Sequence, residues 1–295
     1  MIRSLFSWPV ALCLLLLVTS FWCGLYEPTW KFLFLVSAGL LGIMLVYVLL
    51  RRPSHERNWE DSWLRLPRAE IDGDRITIRD FRDFKWRTAN DYDAVWCDRR
   101  FHFSKLEGLN LIVHPFGNSS LLAHVFLAFD FGEEGRLLVS PEARREKGEI
   151  YGVVKGAMRQ FELIYLLGSE EDFLMDRCVV REGRVFDFPV RATPGFRESL
   201  LRDLLATTNR IFEKPEFYNS IRRNCMTVLV DHIDALRPQE PAVGMRLGTI
   251  FPAKAGKLLH GYGFMDTGLD YASAEKVFRI DVDWRNRVHG EPDSK

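Results

Sequence analysis

The sequence predicts an α+β domain with a mostly antiparallel sheet and core helices, preceded by two membrane-spanning helices. Long uncharged stretches stand at the N-terminus, then short segments of alternating apolar residues follow, and a helical periodicity comes last. With 47% hydrophobic and 13% aromatic residues, the 295-residue chain is too apolar for a disordered protein. Basic and acidic residues number 40 each, so the charge gives no reason to expect nucleic acid as a partner.

Two N-terminal stretches have the length of membrane-spanning helices. Residues 4–26 and residues 32–50 contain no charged side chain, and each approaches the roughly 20 residues that cross a bilayer core. A cleaved signal peptide is the alternative for the first stretch, but Phe21, Trp22 and Tyr26 stand where small residues would mark a cleavage site. We therefore predict a two-helix transmembrane hairpin.

The chain is predicted to consist of four segments. They are the hairpin at 1–50, a polar juxtamembrane linker at 51–70, a folded domain at 71–270 and a C-terminal tail at 271–295. Within the tail, Val277 to Trp284 fits one last strand. Arg51, Arg52 and Arg57 follow the second span, and this basic exit favours the cytoplasmic side for the folded domain.

Short segments with a period of two predict the strands of the sheet. They are Arg75–Arg79, Phe101–Phe103, Leu109–Val113, Ala123–Phe129, Arg136–Ser140, Phe161–Leu167 and Val185–Val190. A helix is predicted to start at Thr193 and Pro194, because a capping hydroxyl followed by proline is typical of a first turn. A second helix is predicted from Asn224 to Leu236, with one apolar face.

Cys225 and His124 are the candidate nucleophile and base. Cys225 falls in the first turn of the second predicted helix, where unpaired backbone N–H groups and the positive dipole end favour a thiolate over a thiol. His124 lies on a predicted strand, whose rigid backbone can aim an imidazole. The spacing alone leaves a buried, inert cysteine and a hydrogen-bonded core histidine open. His232, about two turns beyond Cys225, lies too far along the helix for direct contact with the thiol.

The spacing of cysteine and histidine predicts neither a metal site nor a disulfide framework. The folded domain has an odd number of cysteines, namely Cys97, Cys178 and Cys225, and no C-x-x-C or H-E-x-x-H pattern occurs. The sequence also has no Walker loop and no G-x-G-x-x-G motif, so we expect no cofactor.

Several blocks of the chain resemble those of one known family, and they occur in the same order. The blocks are Ile71–Ile78, Leu122–Phe129, Ser140–Glu149, Arg159–Tyr165, Pro215–Asn219, Asn224–Cys225 and Phe251–Tyr262. Over roughly residues 54–270 the sequence resembles the Lnb N-terminal periplasmic domain family. The named members of this family are bacterial lipoprotein N-acyltransferases.

The resemblance implies a permuted papain-like or NlpC-like thiol fold, in which the histidine strand precedes the cysteine helix. It implies that His124 and Cys225 form a catalytic pair. Papain-type sites also use a third polar residue that orients the imidazole, and Glu142 is the expected one here. The alternative for Glu142 is a structural ion network with Arg144 or Arg145.

The same resemblance implies a membrane-anchored acyltransferase, which is expected to move an acyl chain from phospholipid, through a thioester, to a lipoprotein amine. Asn224 is expected to help stabilise the oxyanion, and Tyr218 and Asn219 to shape the pocket. Arg144 and Arg145 suit a lipid phosphate. The alternative for Tyr218 and Asn219 is an aromatic residue that only packs and a residue of a turn. The alternative for the two arginines is a run of charged residues exposed to solvent.

The expected partners are membrane phospholipids and lipoproteins. The expected location is the bacterial inner membrane, with the folded domain in the periplasm, as the family name implies, although the basic exit favours the cytoplasmic side. Two other function classes stay open. One is a cysteine peptidase or amidase that uses the same pair on envelope peptides, and the other is a membrane-bound interaction module without catalysis.

Overall fold

The computed structural model of the chain describes residues 18–19, 28–238 and 251–289. The chain divides into two compact units. The smaller unit comprises Met1–Glu60, Ala143–Leu163 and Pro215–Ser220, and the larger comprises Asp61–Glu142, Ile164–Lys214 and Ile221–Lys295. The predicted division at residues 51, 71 and 271 stays a prediction.

The smaller unit contains one long apolar helix, α1, from Pro28 to Leu50. Its segment Lys31–Leu50 is long and apolar enough to cross a membrane, judged by length and composition, and it contains the second predicted span. Within the described residues this is the one such helix, so one candidate span of the predicted two-helix hairpin is found. The first predicted span, residues 4–26, lies outside the described residues except for Val18 and Thr19.

An eight-stranded sheet, most of which belongs to the larger unit, forms the body of the fold. Its strands lie in the order β1-β2-β9-β8-β7-β6-β10, and β5 pairs with β2. The strands are β1 Arg68–Asp72, β2 Arg75–Arg82, β5 Trp96–His102, β6 Gly108–Pro115, β7 Ala123–Asp130, β8 Arg136–Arg144, β9 Glu162–Ser169 and β10 Phe186–Pro189. A separate pair is formed by β3 Lys85–Thr88 and β4 Asp91–Asp93.

The predicted fold class, α+β with a mostly antiparallel sheet, is confirmed. The strand pairs whose register is described are antiparallel, except that β2 runs parallel to β9 at Arg82 and Gly168. Strands β7 and β9 are buried along almost their whole length, because both faces of the central sheet are covered. Because both faces of these strands are buried, apolar residues occupy most consecutive positions of β7 and β9 and not only every second one.

The helices are mostly in the C-terminal half. They are α2 Val153–Ala157, α3 Glu170–Leu174, α4 Pro194–Glu213, α5 Cys225–Ala235, α6 Ala255–Gly261, α7 Tyr271–Val277 and α8 Asp281–His289, and α3 continues into a π-helical turn, Met175–Val180. The predicted cap of α4 is confirmed, since the Thr193 hydroxyl accepts a hydrogen bond from the N–H of Phe196 at 3.3 Å. The last predicted strand, Val277–Trp284, is wrong. Asp270 caps α7 by accepting from the N–H of Ser273 at 3.0 Å, and α8 covers the second half of that segment, from Asp281 onward.

A buried ion pair joins β2 to α3. Arg82 donates to both carboxylate oxygens of Asp172 at 2.7 and 3.0 Å, and the Asp172 side chain is fully buried. Asp172 also accepts from the backbone N–H of Phe84 at 3.1 Å and from the indole N–H of Trp86 at 2.7 Å. Gly168 is required beside this pair, since a Cβ there would lie 2.6 Å from the Arg82 carbonyl oxygen. Four N–H donors therefore satisfy this one buried carboxylate.

Candidate functional site

Cys225 is the first residue of helix α5, as the sequence predicts, and Asn224 fixes its position. The Asn224 side-chain oxygen accepts from the backbone N–H groups of Met226 and Thr227, both at 2.9 Å. In return the Thr227 hydroxyl accepts from the N–H of Asn224 at 2.9 Å, which completes a capping box. The Cys225 N–H stands where a helix supplies no backbone acceptor, so it remains suited to bind an oxyanion.

Helix α5 packs against β7 and brings the thiol to His124. The Cys225 sulfur lies close enough to His124 to favour the charged imidazole, and the Cys225 Sγ lies 3.8 Å from the carbonyl oxygen of Ala123. Both side chains are almost completely buried. The His124 ring stacks on Phe126 with centroids 5.4 Å apart, and this contact fixes the plane of the imidazole.

The far side of the imidazole contacts Glu142 and Ser140. The Nε2 of His124 lies 2.9 Å from the Glu142 Oε1 and 2.7 Å from the Ser140 Oγ. Ser140 itself donates to the same Glu142 oxygen at 2.9 Å. Because Nε2 is engaged here, the opposite ring nitrogen, Nδ1, is the one left for the thiol. The structure thus brings the three predicted catalytic side chains into one connected chain.

Arg177, in the π-helical turn after α3, binds the carboxylate of Glu142. One of its terminal nitrogens donates to the Glu142 Oε1 at 3.0 Å, and the other donates to the Phe173 carbonyl oxygen at 3.0 Å. Its guanidinium carbon lies 4.6 Å from the centroid of the Phe126 ring. The alternative partners for Glu142, Arg144 and Arg145, make their described contacts in the smaller unit instead.

The contact between His124 and Glu142 stabilises the charged form of both side chains. Burial opposes a charge on His124, but the Glu142 carboxylate and the Cys225 sulfur outweigh it and raise the pKa of His124 to about 9. Burial likewise opposes the Glu142 charge, yet His124, Arg177 and Ser140 hold the pKa of Glu142 far below its usual range. The imidazole is therefore protonated and the carboxylate ionised at neutral pH. The sulfur of Cys225 thus faces a positively charged imidazole.

His114 is the second histidine of this region. It lies directly across from His124 in the register of β6 and β7. Burial, with the charges of Arg177 and His124, lowers the pKa of His114 to about 3, so it is neutral beside a charged neighbour. The backbone of Gly183 packs so closely against this ring that a Cβ at position 183 would lie 2.3 Å from the His114 Nε2.

The other predicted substrate contacts lie in the smaller unit. Arg144 is buried, with its guanidinium carbon 4.1 Å from the centroid of Trp59, and burial lowers the pKa of Arg144 to about 10 against the opposing charge of Glu162. Arg145 lies 3.6 Å from the Glu60 carboxylate. Arg144 is therefore packed on an aromatic ring, and the predicted contact of either arginine with lipid phosphate stays a prediction.

Tyr218 and Asn219 also make their described contacts in the smaller unit. The Tyr218 hydroxyl lies 3.2 Å from that of Tyr151, and the Asn219 side chain donates to the carbonyl oxygen of Ala157 at 3.2 Å. These are packing contacts of the kind that the alternative interpretation expects. Their role in shaping a pocket stays a prediction, as does the oxyanion role of the Asn224 side chain, whose oxygen is used in the helix cap.

Replacing Glu142 with glutamine is expected to lower the pKa of His124 from about 9, because the substitution removes the carboxylate charge that favours the imidazolium. The measurement is an NMR pH titration of the His124 ring. The matched control is Glu134→Gln, which removes a carboxylate 2.6 Å from the ring of a different histidine, His102. An unchanged His124 titration in Glu142→Gln would contradict the described ion pair.

The same pair predicts how stability depends on pH. The raised pKa of His124 stabilises the fold fully below its ordinary value of 6.5, and this contribution is lost as the pH rises toward about 9. The lowered pKa of Glu142 contributes above its ordinary value of 4.5 and is lost as the pH falls. The difference in unfolding free energy between wild type and Glu142→Gln should thus be largest between these two ordinary values. Urea unfolding of the detergent-solubilised chain across pH 4 to 10 measures it, and a difference that grows above pH 9 would contradict the assignment.

A family model described as the Lnb N-terminal periplasmic domain matches residues 92–253, which is more than half of the chain and includes Cys225, His124 and Glu142. No curated protein and no solved structure matches the chain. Together with helix α1, the family match fits a membrane-anchored protein with a periplasmic domain. The chain belongs to the Lnb N-terminal periplasmic domain family.

Proposed function

We propose that the protein is a thiol acyltransferase of the bacterial inner membrane, which moves an acyl chain from phospholipid to a lipoprotein amine. One observation carries the proposal. A thiol at a helix start, a protonated imidazole and an ionised carboxylate form one connected chain, Cys225–His124–Glu142. This is the order of nucleophile, base and orienting group that acyl transfer through a thioester uses.

In the first step the Cys225 thiolate attacks an ester carbonyl carbon of the phospholipid. His124, protonated at neutral pH, stands beside the sulfur as the proton donor of this step. The Cys225 N–H, at the first position of α5, donates to the oxyanion of the tetrahedral intermediate. When the intermediate collapses, the C–O bond breaks, His124 gives its proton to the departing alkoxide, and lysophospholipid leaves. The acyl chain remains on the sulfur as a thioester.

In the second step a lipoprotein α-amine attacks the thioester carbonyl carbon. Neutral His124 accepts the proton that the amine loses as the C–N bond forms. The C–S bond then breaks, and the sulfur leaves as a thiolate beside the imidazolium, which restores the starting ion pair. Glu142 keeps the imidazole oriented through both steps, and Arg177 keeps Glu142 ionised.

The described cysteines differ in what surrounds them, and this supports the choice of Cys225. Cys178 is fully buried, and burial together with the charge of Asp281 raises its pKa to about 12. Burial also raises the pKa of Cys97. A thiolate is therefore suppressed at both of these residues at neutral pH, whereas Cys225 faces an imidazolium.

The test is incubation of the full chain with an electrophilic phospholipid analogue at neutral pH, followed by peptide mapping. The expected result is one acyl adduct, on Cys225, with Cys97 and Cys178 unlabelled. Labelling at Cys97 or Cys178 with Cys225 unmodified would overturn the proposal. Cleavage of an envelope peptide without any adduct from phospholipid would overturn it in favour of a peptidase or amidase.

A further inference from the structure

The loop between β6 and β7 exposes apolar side chains beside the candidate site. Leu121 and Leu122 are 42% and 40% exposed, and Phe116 is 43% exposed. We name residues Phe116–Leu122 the β6–β7 loop. Single exposed apolar residues are ordinary on protein surfaces, whereas a cluster rimmed by polar groups marks an interaction surface.

The backbone of this loop is held by its own hydrogen bonds. The N–H of Phe116 donates to the carbonyl oxygen of Leu122 at 3.0 Å, and the N–H of Ser119 donates to the carbonyl oxygen of Phe116 at 3.0 Å. The Ser119 hydroxyl accepts from the N–H groups of Leu121 and Leu122 at 3.2 and 2.9 Å. The exposure of the leucines is therefore built into the fold, because the turn has its own closed set of hydrogen bonds.

The β6–β7 loop leads directly into the site. Leu122 is followed by Ala123, whose carbonyl oxygen contacts the Cys225 Sγ, and then by His124. Two residues of extended strand span about 7 Å. The exposed leucines therefore lie next to the site along the chain, with Leu122 directly before the residue whose carbonyl oxygen is 3.8 Å from the sulfur.

Basic side chains flank the loop on one side. The loop itself has no charged residue. The N–H of Ala253 donates to the Leu121 carbonyl oxygen at 3.2 Å, so the segment that contains Lys254 and Lys257 lies against the loop. Both lysines are exposed, and residues 251–261 contain no acidic side chain. An apolar surface beside lysines suits an anionic bilayer, with acyl chains below and phosphates around.

A further cation stands at the tip of the same loop. Arg184 donates to the carbonyl oxygen of Gly117 at 3.3 Å. Glu182, two residues before Arg184, is exposed and acidic, so we count only the two lysines toward the positive charge of the surface. The charge complementarity thus depends on Lys254 and Lys257.

We propose that the β6–β7 loop docks the folded domain on an anionic phospholipid bilayer. Leu121 and Leu122 enter the boundary between headgroups and acyl chains, and Lys254 and Lys257 bind lipid phosphates. The inference deepens the proposed function and rests on it, since a phospholipid ester has to be drawn from a bilayer to reach Cys225. It names the surface through which that substrate enters.

The test places the photo-crosslinker p-benzoylphenylalanine at position 121 of the full chain, reconstituted in phosphatidylglycerol vesicles. The control places it at position 71, because Ile71 is also 42% exposed and belongs to the same unit. Mass spectrometry is expected to detect phospholipid adducts at position 121 and not at position 71. Lipid adducts of equal yield at both positions, or crosslinks from position 121 to protein alone, would overturn the proposal.

The basic side chains supply a second readout. Each lysine near an anionic surface strengthens binding by about fivefold, so Lys254→Ala and Lys257→Ala should each lower the crosslinking yield in phosphatidylglycerol by about that factor. In phosphatidylcholine vesicles the same variants should match the parent chain. Equal losses in both lipids would show that the lysines act on the fold and would overturn the charge assignment.

The chemistry and the docking can fail separately. In Cys225→Ala the lipid adduct at position 121 should persist, because docking does not need the thiol. A lipid adduct at position 121 with no acyl chain on Cys225 of the parent chain would contradict the proposed function and still support the docking surface. An acylated Cys225 without lipid adducts at position 121 would contradict the docking surface and still support the proposed function.

Discussion

Replacing Cys225 with alanine is expected to abolish the acyl-enzyme thioester and to lower acyl transfer by on the order of 10⁵-fold or more, since the attacking atom is removed. The measurement is intact-mass detection of the acylated chain together with the rate of amide formation on a lipidated peptide. The substitution removes only a sulfur atom from a buried site and leaves the Asn224 cap in place, so the fold should persist. Circular dichroism and the Tm check this.

The matched control for that experiment is Cys97→Ala. Cys97 is another cysteine of the larger unit, partly exposed and without an imidazole in its described contacts, so its removal should leave the transfer rate unchanged. His124→Gln should lower the rate by about 10²- to 10⁴-fold, the usual contribution of a positioned base. The double variant should be no slower than Cys225→Ala, because the two groups act as a unit. Full complementation of a deletion phenotype by both single variants would instead favour the non-catalytic interaction module.

Replacing Asp172 with alanine is expected to destabilise the fold by about 3–5 kcal/mol, because Arg82 would be left as a buried charge without its partner. The indole N–H of Trp86 and the backbone N–H of Phe84 would lose the same acceptor. Urea unfolding of the detergent-solubilised chain measures the loss. Expression yield gives a second readout, because a variant this unstable is degraded in cells.

The neighbouring residue provides the control for this prediction. Glu171 is also acidic, but its side chain is 67% exposed and lies 3.4 Å from the exposed Lys85 amine. Glu171→Ala should change the unfolding free energy by about 0.5 kcal/mol or less, as surface ion pairs usually do. Equal losses from the two substitutions would show that the buried pair is not a special contributor.

Much of the fold was predictable because local chemistry decides it. The Thr193 hydroxyl and the Asn224 amide specify helix starts within a few residues of sequence, and both caps are present. The alternating run around His124 likewise gives strand β7. The tail was misassigned because its apolar residues alternate by chance, whereas the Asp270 cap and the ion pairs of Asp281 favour helices.

Cys225 and His124 are distant in sequence, and the family resemblance grouped them with Glu142, because local sequence patterns relate only residues that lie close along the chain. Ser140 lies two residues before Glu142 and shares its face of β8, so strand parity could have identified it. The contact between Glu142 and His124 depends on strand register, which no single sequence reveals. Arg177 reaches the site from a π-helical turn that follows β9, and its own segment carries no signal of that role. Tertiary packing alone places it.

The cap at Asn224 has a consequence for which amino acids position 224 can hold. An aspartate would accept the same two N–H bonds and start the helix equally well. Its formal charge, however, would stand next to the sulfur and repel the anionic state on which nucleophilic attack depends. An electroneutral amide therefore meets two requirements at once, since it secures the first turn of α5 and adds no negative charge beside Cys225.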